Sequence, residues 1–344
     1  MIRQQGNKGF TLIEVLVAIA VTLIIMASVF GVLLGGQDSF RRENQVADMQ
    51  MSTRSGLDMI GRDLTLAGYK TPPASAVIWS DGGGIQPDEV TIVYADPNIP
   101  ISRPKQCGAG GKGGGGGPCG TIGRSSTLLL DPDTFDPMPG VVEESYEYGM
   151  MLTAIETADC NGDGQVGLTH FHLTQDPQMT TAGGEPTVQI NHNPGNIDSE
   201  LNVPGGFNHE VKEDCAVVGM FRVITYRVSP PPPVGNPTLE RRDLGDPAGW
   251  IAVAHNIENL QIRYGIGNDG LNLFDVPPVA PSDDPLTWIN RVDVTLTGRT
   301  EEQNLKGATA GAFDPNEIYV RKTVSSQVGL RNVVNEAENR ATAF

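Results

Sequence analysis

Residues 9–14 read Gly9-Phe10-Thr11-Leu12-Ile13-Glu14 and lead directly into a long apolar run, around which the rest of the chain is organised. The short polar leader before this segment carries Arg3 and Lys8. The run from Val15 to Gly36 contains 22 residues and no charge, which corresponds to about 33 Å of helix, enough to cross a bilayer core. A carboxylate within a bilayer costs roughly 3 kcal/mol, so Glu14 at the head of this run predicts a specific role for the acid.

The order of leader, glycine, phenylalanine, acid and apolar run resembles the class III signal of type IV pilins and of the pseudopilins of type II secretion. The resemblance implies that a prepilin peptidase cuts between Gly9 and Phe10, and that the new amine of Phe10 is N-methylated. It also implies that Glu14 pairs with the Phe10 amine of a neighbouring subunit during assembly. Opposite charges about 4 Å apart attract by roughly 4 kcal/mol at an effective dielectric near 20, which would offset much of the burial cost.

An ordinary secretory signal peptide or a plain signal anchor is the alternative for this N-terminus. A secretory signal peptide carries no acid at the start of its apolar region, and no small-residue cleavage site of the A-x-A kind follows Leu34. The sequence therefore favours the pilin-like signal.

The apolar run continues into an amphipathic segment that predicts one long helix from Phe10 to Ala67, about 87 Å in length. Apolar or small residues recur at spacings of three or four and predict one buried stripe, made of Val46, Met49, Thr53, Leu57, Ile60, Leu64 and Ala67. Most of the charged residues, Asp63 among them, are expected to lie off this stripe. Gly68 and the prolines that follow it are expected to end the helix.

The rest of the chain is predicted to be rich in β-strands. Strands are expected at 88–96, 127–130, 146–155, 216–229, 257–265 and 289–299, because β-branched or alternating apolar residues are bounded there by turn residues. The turn-rich, acidic sequence from 174 to 214 predicts a surface loop without regular secondary structure. The predicted class is α+β, with the long N-terminal helix packed on an antiparallel sheet that carries large loop insertions.

The sequence divides into four predicted segments. They are a leader peptide (1–9), a transmembrane and assembly helix (10–36), an amphipathic helix half (37–68) and a β-rich periplasmic or extracellular domain (69–344). The sequences at 54–69, 239–241, 257–265 and 328–332 resemble PilW-type minor pilins, and the last of them also resembles J-type pseudopilins. The resemblance implies the type IV pilin fold.

The formal net charge of −17 argues against nucleic acid as the main partner, since that interaction needs clustered basic residues. Such acidity suits a solvated exported surface and divalent cations. No enzyme is predicted: there is no Gly-x-Ser-x-Gly elbow, and none of the histidines falls in a nucleophile or zinc pattern. These histidines are His170, His172, His192, His209 and His255.

A second informative stretch is Asp159-Cys160-Asn161-Gly162-Asp163-Gly164. Acids or amides at its first, third and fifth places, with a glycine at the sixth, are typical of the first half of a calcium loop. The predicted Ca²⁺ ligands are Asp159, Asn161, Asp163 and the carbonyl of Gln165. The twelfth place holds His170 instead of a bidentate acid, so Glu156 or a distant acid would have to complete the site. The alternative is a plain Asx-Gly turn.

The chain has four cysteines, Cys107, Cys119, Cys160 and Cys215. An even number in an exported domain predicts two disulfides with three possible connectivities. We favour Cys107–Cys119 and Cys160–Cys215, because the first pair would close a loop that is nearly all glycine. Closing a loop of that size contributes about 3 kcal/mol in the chain-entropy model.

The functional expectation rests on the resemblance. It implies a minor pilin that primes type IV pilus assembly with other minor pilins and the major pilin, and that lies at or near the filament tip. Before assembly the chain would cross the inner membrane once, in contact with its lipid and with the N-terminus cytoplasmic; afterwards it would lie on the pilus at the cell surface. The alternatives are a pseudopilin of a type II secretion system, or a tip adhesin that binds a surface ligand through loops in 97–215.

Overall fold

A computed structural model describes residues 10–105, 127–135, 145–157, 166–182, 184–193, 201–202, 216–230, 236–246, 248–267, 272–278, 282, 284–312 and 314–342. The two helices are α1 (Leu12–Leu66) and α2 (Arg331–Thr342). The strands are β1 (Val77–Ser80), β2 (Glu89–Ala95), β3 (Thr127–Leu130), β4 (Met151–Glu156), β5 (Leu168–His172), β6 (Gln178–Ala182), β7 (Glu185–Asn191), β8 (Ala216–Gly219), β9 (Phe221–Ser229), β10 (Thr238–Asp243), β11 (Trp250–His255), β12 (Ile257–Ile266), β13 (Leu273–Phe274), β14 (Ile289–Arg299), β15 (Thr309–Ala310), β16 (Ile318–Tyr319) and β17 (Arg321–Gly329).

Helix α1 has two halves with different surroundings. Residues 10–41 are all exposed, whereas the buried stripe begins at Met49 and continues to the end of the helix. The helix ends where it was predicted to end, since Ala67 caps it and Gly68 follows at a φ of +78° in the left-handed region that favours glycine. Helix α2, which the sequence did not predict, docks on this end: the Asn332 side-chain amide donates to the carbonyls of Leu66 and Ala67.

Two antiparallel sheets form the main body together with α1. One has the strand order β1-β2-β9-β10-β11 and the other β13-β12-β14-β17. The second half of α1 packs against β11, β14 and β17, and the three layers share one core. Ile60 and Leu64 of the helix, Ile224 of β9 and Leu296 of β14 are fully buried there. The predicted α+β architecture of a long helix on antiparallel strands is confirmed.

The helix approaches the sheets closely at two glycines. A Cβ on Gly56 would lie 2.9 Å from Cδ2 of Leu239, and a Cβ on Gly298 of β14 would collide with Oγ1 of Thr53. Side chains at these two positions would push α1 away from the strands, so glycine sets the spacing of the layers.

A second core occupies the middle of the chain. The sheets β3-β7-β6 and β5-β4-β8 enclose it, and Leu152, Phe171, Val188 and Ile190 are fully buried within it. The prediction of an irregular surface loop over 174–214 is therefore wrong for β6 and β7, which pair as an antiparallel hairpin. Strand β4 joins the two cores, because Ile155 faces the first core and Ala154 faces the second.

Candidate functional site

The N-terminal end of α1 is a capping box between Thr11 and Glu14. Thr11 is extended (φ −79°, ψ 152°), and its Oγ1 accepts a hydrogen bond from the Glu14 amide at 3.4 Å. In return, Glu14 Oε2 accepts from the Thr11 amide at 3.0 Å and from its hydroxyl at 3.1 Å. The carboxylate is thus held at the first turn of the helix, where it satisfies backbone groups that would otherwise lack partners. The spacing Thr-x-x-Glu is a capping-box signature, so the sequence alone contained this signal.

The surroundings of Glu14 are apolar and open. Phe10 is 87% exposed, and a shallow groove along the helix is lined by Glu14, Ala18 and Thr22. The Thr22 hydroxyl donates to the Ala18 carbonyl at 2.7 Å, which satisfies its hydrogen bond within the helix. By length and composition α1 could cross a membrane, and none of its most apolar stretch is buried within the chain. This half of the helix is therefore exposed around its whole circumference.

The buried half of α1 is fixed by a polar contact that joins Asp63 to Arg241 and Tyr226. Asp63 Oδ2 accepts from Arg241 Nε at 3.0 Å and from the Tyr226 hydroxyl at 2.7 Å. The expectation that Asp63 lies off the buried stripe is wrong, because it follows Ile60 by three positions and shares its face. The contact fixes the rotation and height of the helix on the sheet.

The predicted calcium ligands Asp159, Asn161, Asp163 and Gln165 lie outside the described residues, which do include both flanks of their loop. Residue Ile155 pairs with Leu168, so the loop connects two antiparallel strands, β4 and β5. Glu156, which is 2% exposed, accepts from the Gly167 amide through Oε2 at 2.9 Å. The Glu156 carboxylate therefore bridges the two ends of the loop that joins β4 and β5. Among the described residues no group of three or more His, Cys, Asp or Glu side chains could hold a metal ion.

The histidines near this hairpin lie within or beside the second core. His170 and His172 share one face of β5, and Nδ1 of His170 lies 2.9 Å from the Thr153 hydroxyl. Burial, with a smaller effect of Arg242, lowers the pKa of His170 to about 4. His192 packs on the Phe171 ring with the centroids 5.3 Å apart, and burial lowers its pKa to about 4 as well. These rings are neutral at pH 7 and contribute to packing.

The cysteines Cys107, Cys119, Cys160 and Cys215 also lie outside the described residues, and their pairing stays a prediction. Gly9 precedes the described range, so the structure describes the Phe10 side of the predicted cleavage position alone.

Comparison with known proteins identifies the N-terminal segment. Residues 4–30 match the family model described as the prokaryotic N-terminal methylation motif. No curated protein matches the chain. Among solved structures, a "Type IV-like pilin TTHA1219 from Thermus thermophilus" aligns with 84% of this chain and 98% of its own length, at 10% identity and a TM-score of 0.31. The methylation motif thus covers the capped start of α1 and most of its apolar run.

Proposed function

We propose that this protein is a minor pilin of PilW type that primes type IV pilus assembly and is incorporated at or near the filament tip. The observation that carries the proposal is the methylation motif of residues 4–30, which stands at the head of a helix with one uncovered half and one packed half. An uncovered apolar half can lie in a bilayer or among other helices, while the packed half carries the domain outward.

Processing would begin with prepilin peptidase at Gly9–Phe10 and continue with methylation of the Phe10 amine. Glu14 would then pair with the Phe10 amine of a neighbouring subunit. The capping box supports this role, since the hydrogen bonds from Thr11 keep the carboxylate at the helix start, close in sequence to the amine. The open groove beside Glu14 and Ala18 leaves room for a second helix.

The topology that follows has the N-terminus in the cytoplasm and residues 69–344 in the periplasm before assembly, then at the cell surface. The partners would be prepilin peptidase, other minor pilins, the major pilin and inner-membrane lipid. The role is structural, without catalysis and without nucleic acid as the main partner.

Deletion of the gene tests the proposal, with surface filaments counted by electron microscopy and protein secretion assayed in parallel. Loss of filaments with secretion intact, restored by the wild-type gene, is the expected result. Normal filaments with failed secretion would instead assign the protein to the pseudopilus of a type II secretion system.

A tip adhesin is the second candidate, and the second core is the observation that favours it. The sheets β3-β7-β6 and β5-β4-β8 enclose a second hydrophobic core in addition to that of the two main sheets, and loops on such a scaffold commonly carry recognition. Normal filaments and secretion combined with lost attachment in the deletion strain would favour this candidate.

A further inference from the structure

A polar cleft of about 780 Å³ lies where α1 leaves its apolar run, between residues 35–43 of the helix and residues 302–307. We call it the exit cleft. Its volume is in the range of small-molecule sites. Six charged residues line it, three acids and three bases: Asp38, Glu43, Glu302, Arg41, Arg42 and Lys306.

The charges in the exit cleft are not paired with one another. Within the part of the chain that the structure describes, none of the six side chains forms an ion pair within 4.0 Å, whereas eight other basic residues do. Nε of Arg42 is buried and has no hydrogen-bond partner among the described residues. Buried polar groups without a partner are rare in native proteins, and each calls for an explanation such as a bound ligand.

The loop that forms the outer wall of the cleft has a defined shape. The Glu302 amide donates to Oε1 of Gln45 on α1 at 2.9 Å, and the Asn304 amide donates to the Ile318 carbonyl at 2.8 Å. Gly307 has a φ of +87°, which permits the turn that brings Lys306 to the cleft. The wall is therefore held in place by hydrogen bonds to the helix and to Ile318, and acidic and basic residues occur on both sides of the cleft.

The position of the exit cleft points to its occupant. Gly35, at the end of the apolar run, lines the cleft, and Phe40 beside it is 70% exposed. In the topology of the proposed function, on which this inference rests, the cleft opens at the headgroup level of the periplasmic leaflet. We infer that the exit cleft binds the headgroup of a zwitterionic phospholipid with a primary amine, namely phosphoethanolamine.

The basic and acidic residues of the exit cleft match the phosphate and the ammonium group of that headgroup, respectively. Arg42 and Lys306 bind the phosphate through charge-assisted hydrogen bonds, and Asp38 and Glu302 accept hydrogen bonds from the ammonium. A bound headgroup would hold the domain at a fixed height and tilt above the membrane, ready for docking to the next subunit.

Lipid retention in native mass spectrometry tests the inference on the full chain purified from membranes in detergent. The probes are phosphatidylethanolamine and phosphatidylglycerol with identical acyl chains. We expect Arg42→Ala/Lys306→Ala to reduce the retained phosphatidylethanolamine about tenfold, because two charge-assisted hydrogen bonds are lost. The matched control Arg54→Ala/Lys322→Ala changes the charge equally at exposed positions away from the cleft and should retain lipid as the wild type does.

A second variant separates the two ends of the headgroup. Asp38→Asn/Glu302→Gln should weaken retention of phosphatidylethanolamine and leave that of phosphatidylglycerol unchanged. Equal retention of both lipids by the wild type would overturn the zwitterionic assignment, and unchanged retention by Arg42→Ala/Lys306→Ala would overturn the site. Flotation of the wild type with vesicles of the two lipids tests the membrane topology separately: a chain that floats yet retains no lipid contradicts this inference alone.

Discussion

Asp63, in the last turn of α1, accepts a hydrogen bond from the hydroxyl of Tyr226 on β9 at 2.7 Å. The same carboxylate oxygen accepts from Arg241 of β10, so one acid ties the helix to two neighbouring strands. This contact lies near the C-terminal end of the packed half of the helix, where it adds a polar link to the apolar packing.

Substitution Asp63→Ala should lower the free energy of unfolding by about 3 kcal/mol, because Arg241 is left without its buried partner. Asp58→Ala is the matched control, since Asp58 is exposed on the same helix and its loss should cost less than about 0.5 kcal/mol. Urea denaturation of the full chain in detergent, followed by tryptophan fluorescence, measures both. Equal effects of the two substitutions would contradict the assigned contact.

The spacing between α1 and β14 should depend on Gly298. The added Cβ of Gly298→Ala would meet Thr53 and force the layers apart, which should cost about 1–3 kcal/mol as overpacking. Gly329→Ala in β17 is a matched strand glycine whose added Cβ meets nothing within 4 Å, and it should leave the unfolding free energy unchanged. The same denaturation assay compares them, and a milder effect at Gly298 than at Gly329 would refute the close approach.

Stability should fall as the pH is lowered from 7 to 5, and His192 should cause part of the loss. Burial lowers its folded-state pKa to about 4, below the ordinary value of 6.5, so between these values the unfolded chain binds a proton that the folded chain does not. The contribution of His192 to the free energy of unfolding is therefore nearly complete above pH 6.5 and declines toward pH 4. At pH 5 it is about 2 kcal/mol smaller than at pH 7.

The check is denaturation at pH 7 and pH 5 for the wild type and for His192→Phe, which keeps a ring beside Phe171. The variant should lose about 2 kcal/mol less than the wild type over this interval. The same substitution at the exposed His255 is the control. A pH dependence identical in all three proteins would contradict the burial of a neutral His192.

The calcium hypothesis for Asp159, Asn161, Asp163 and Gln165 predicts a stabilisation that depends on the metal. At a hundredfold excess of calcium over Kd the folded state gains about 2.7 kcal/mol, which should appear as a rise in Tm. Asp163→Ala should lower Tm in calcium and leave Tm in chelator unchanged. An equal loss in both conditions would indicate a plain Asx-Gly turn.

Local sequence patterns predicted α1 and seven of the seventeen strands of the described residues, namely β2, β3, β4, β8, β9, β12 and β14. The apolar run, the three-and-four spacing and Gly68 specify the helix without help from the rest of the chain. The role of Asp63 could not be predicted in the same way, because its partner Arg241 lies 178 residues further on and a carboxylate on a helix is usually solvated.

The second core and the exit cleft escaped prediction for related reasons. Strand β7 buries Val188 and Ile190 in a stretch otherwise made of polar residues and proline, so its alternation is too weak to indicate a strand. The exit cleft brings residues near 40 together with residues near 305, and neither set is a motif by itself. Long-range pairing in the fold creates both features.

Glu14 is central to the proposed assembly, and one measurement tests its role directly. Sheared filaments and membranes are analysed by mass spectrometry in strains that carry the wild type, Glu14→Ala or Thr11→Ala. The wild type should begin with N-methylated Phe10 and be present in the filaments. Glu14→Ala should be processed yet remain in the membrane, while Thr11→Ala, which keeps the carboxylate, should enter the filaments. Normal incorporation of Glu14→Ala, or a wild-type chain that still begins at Met1, would contradict the account.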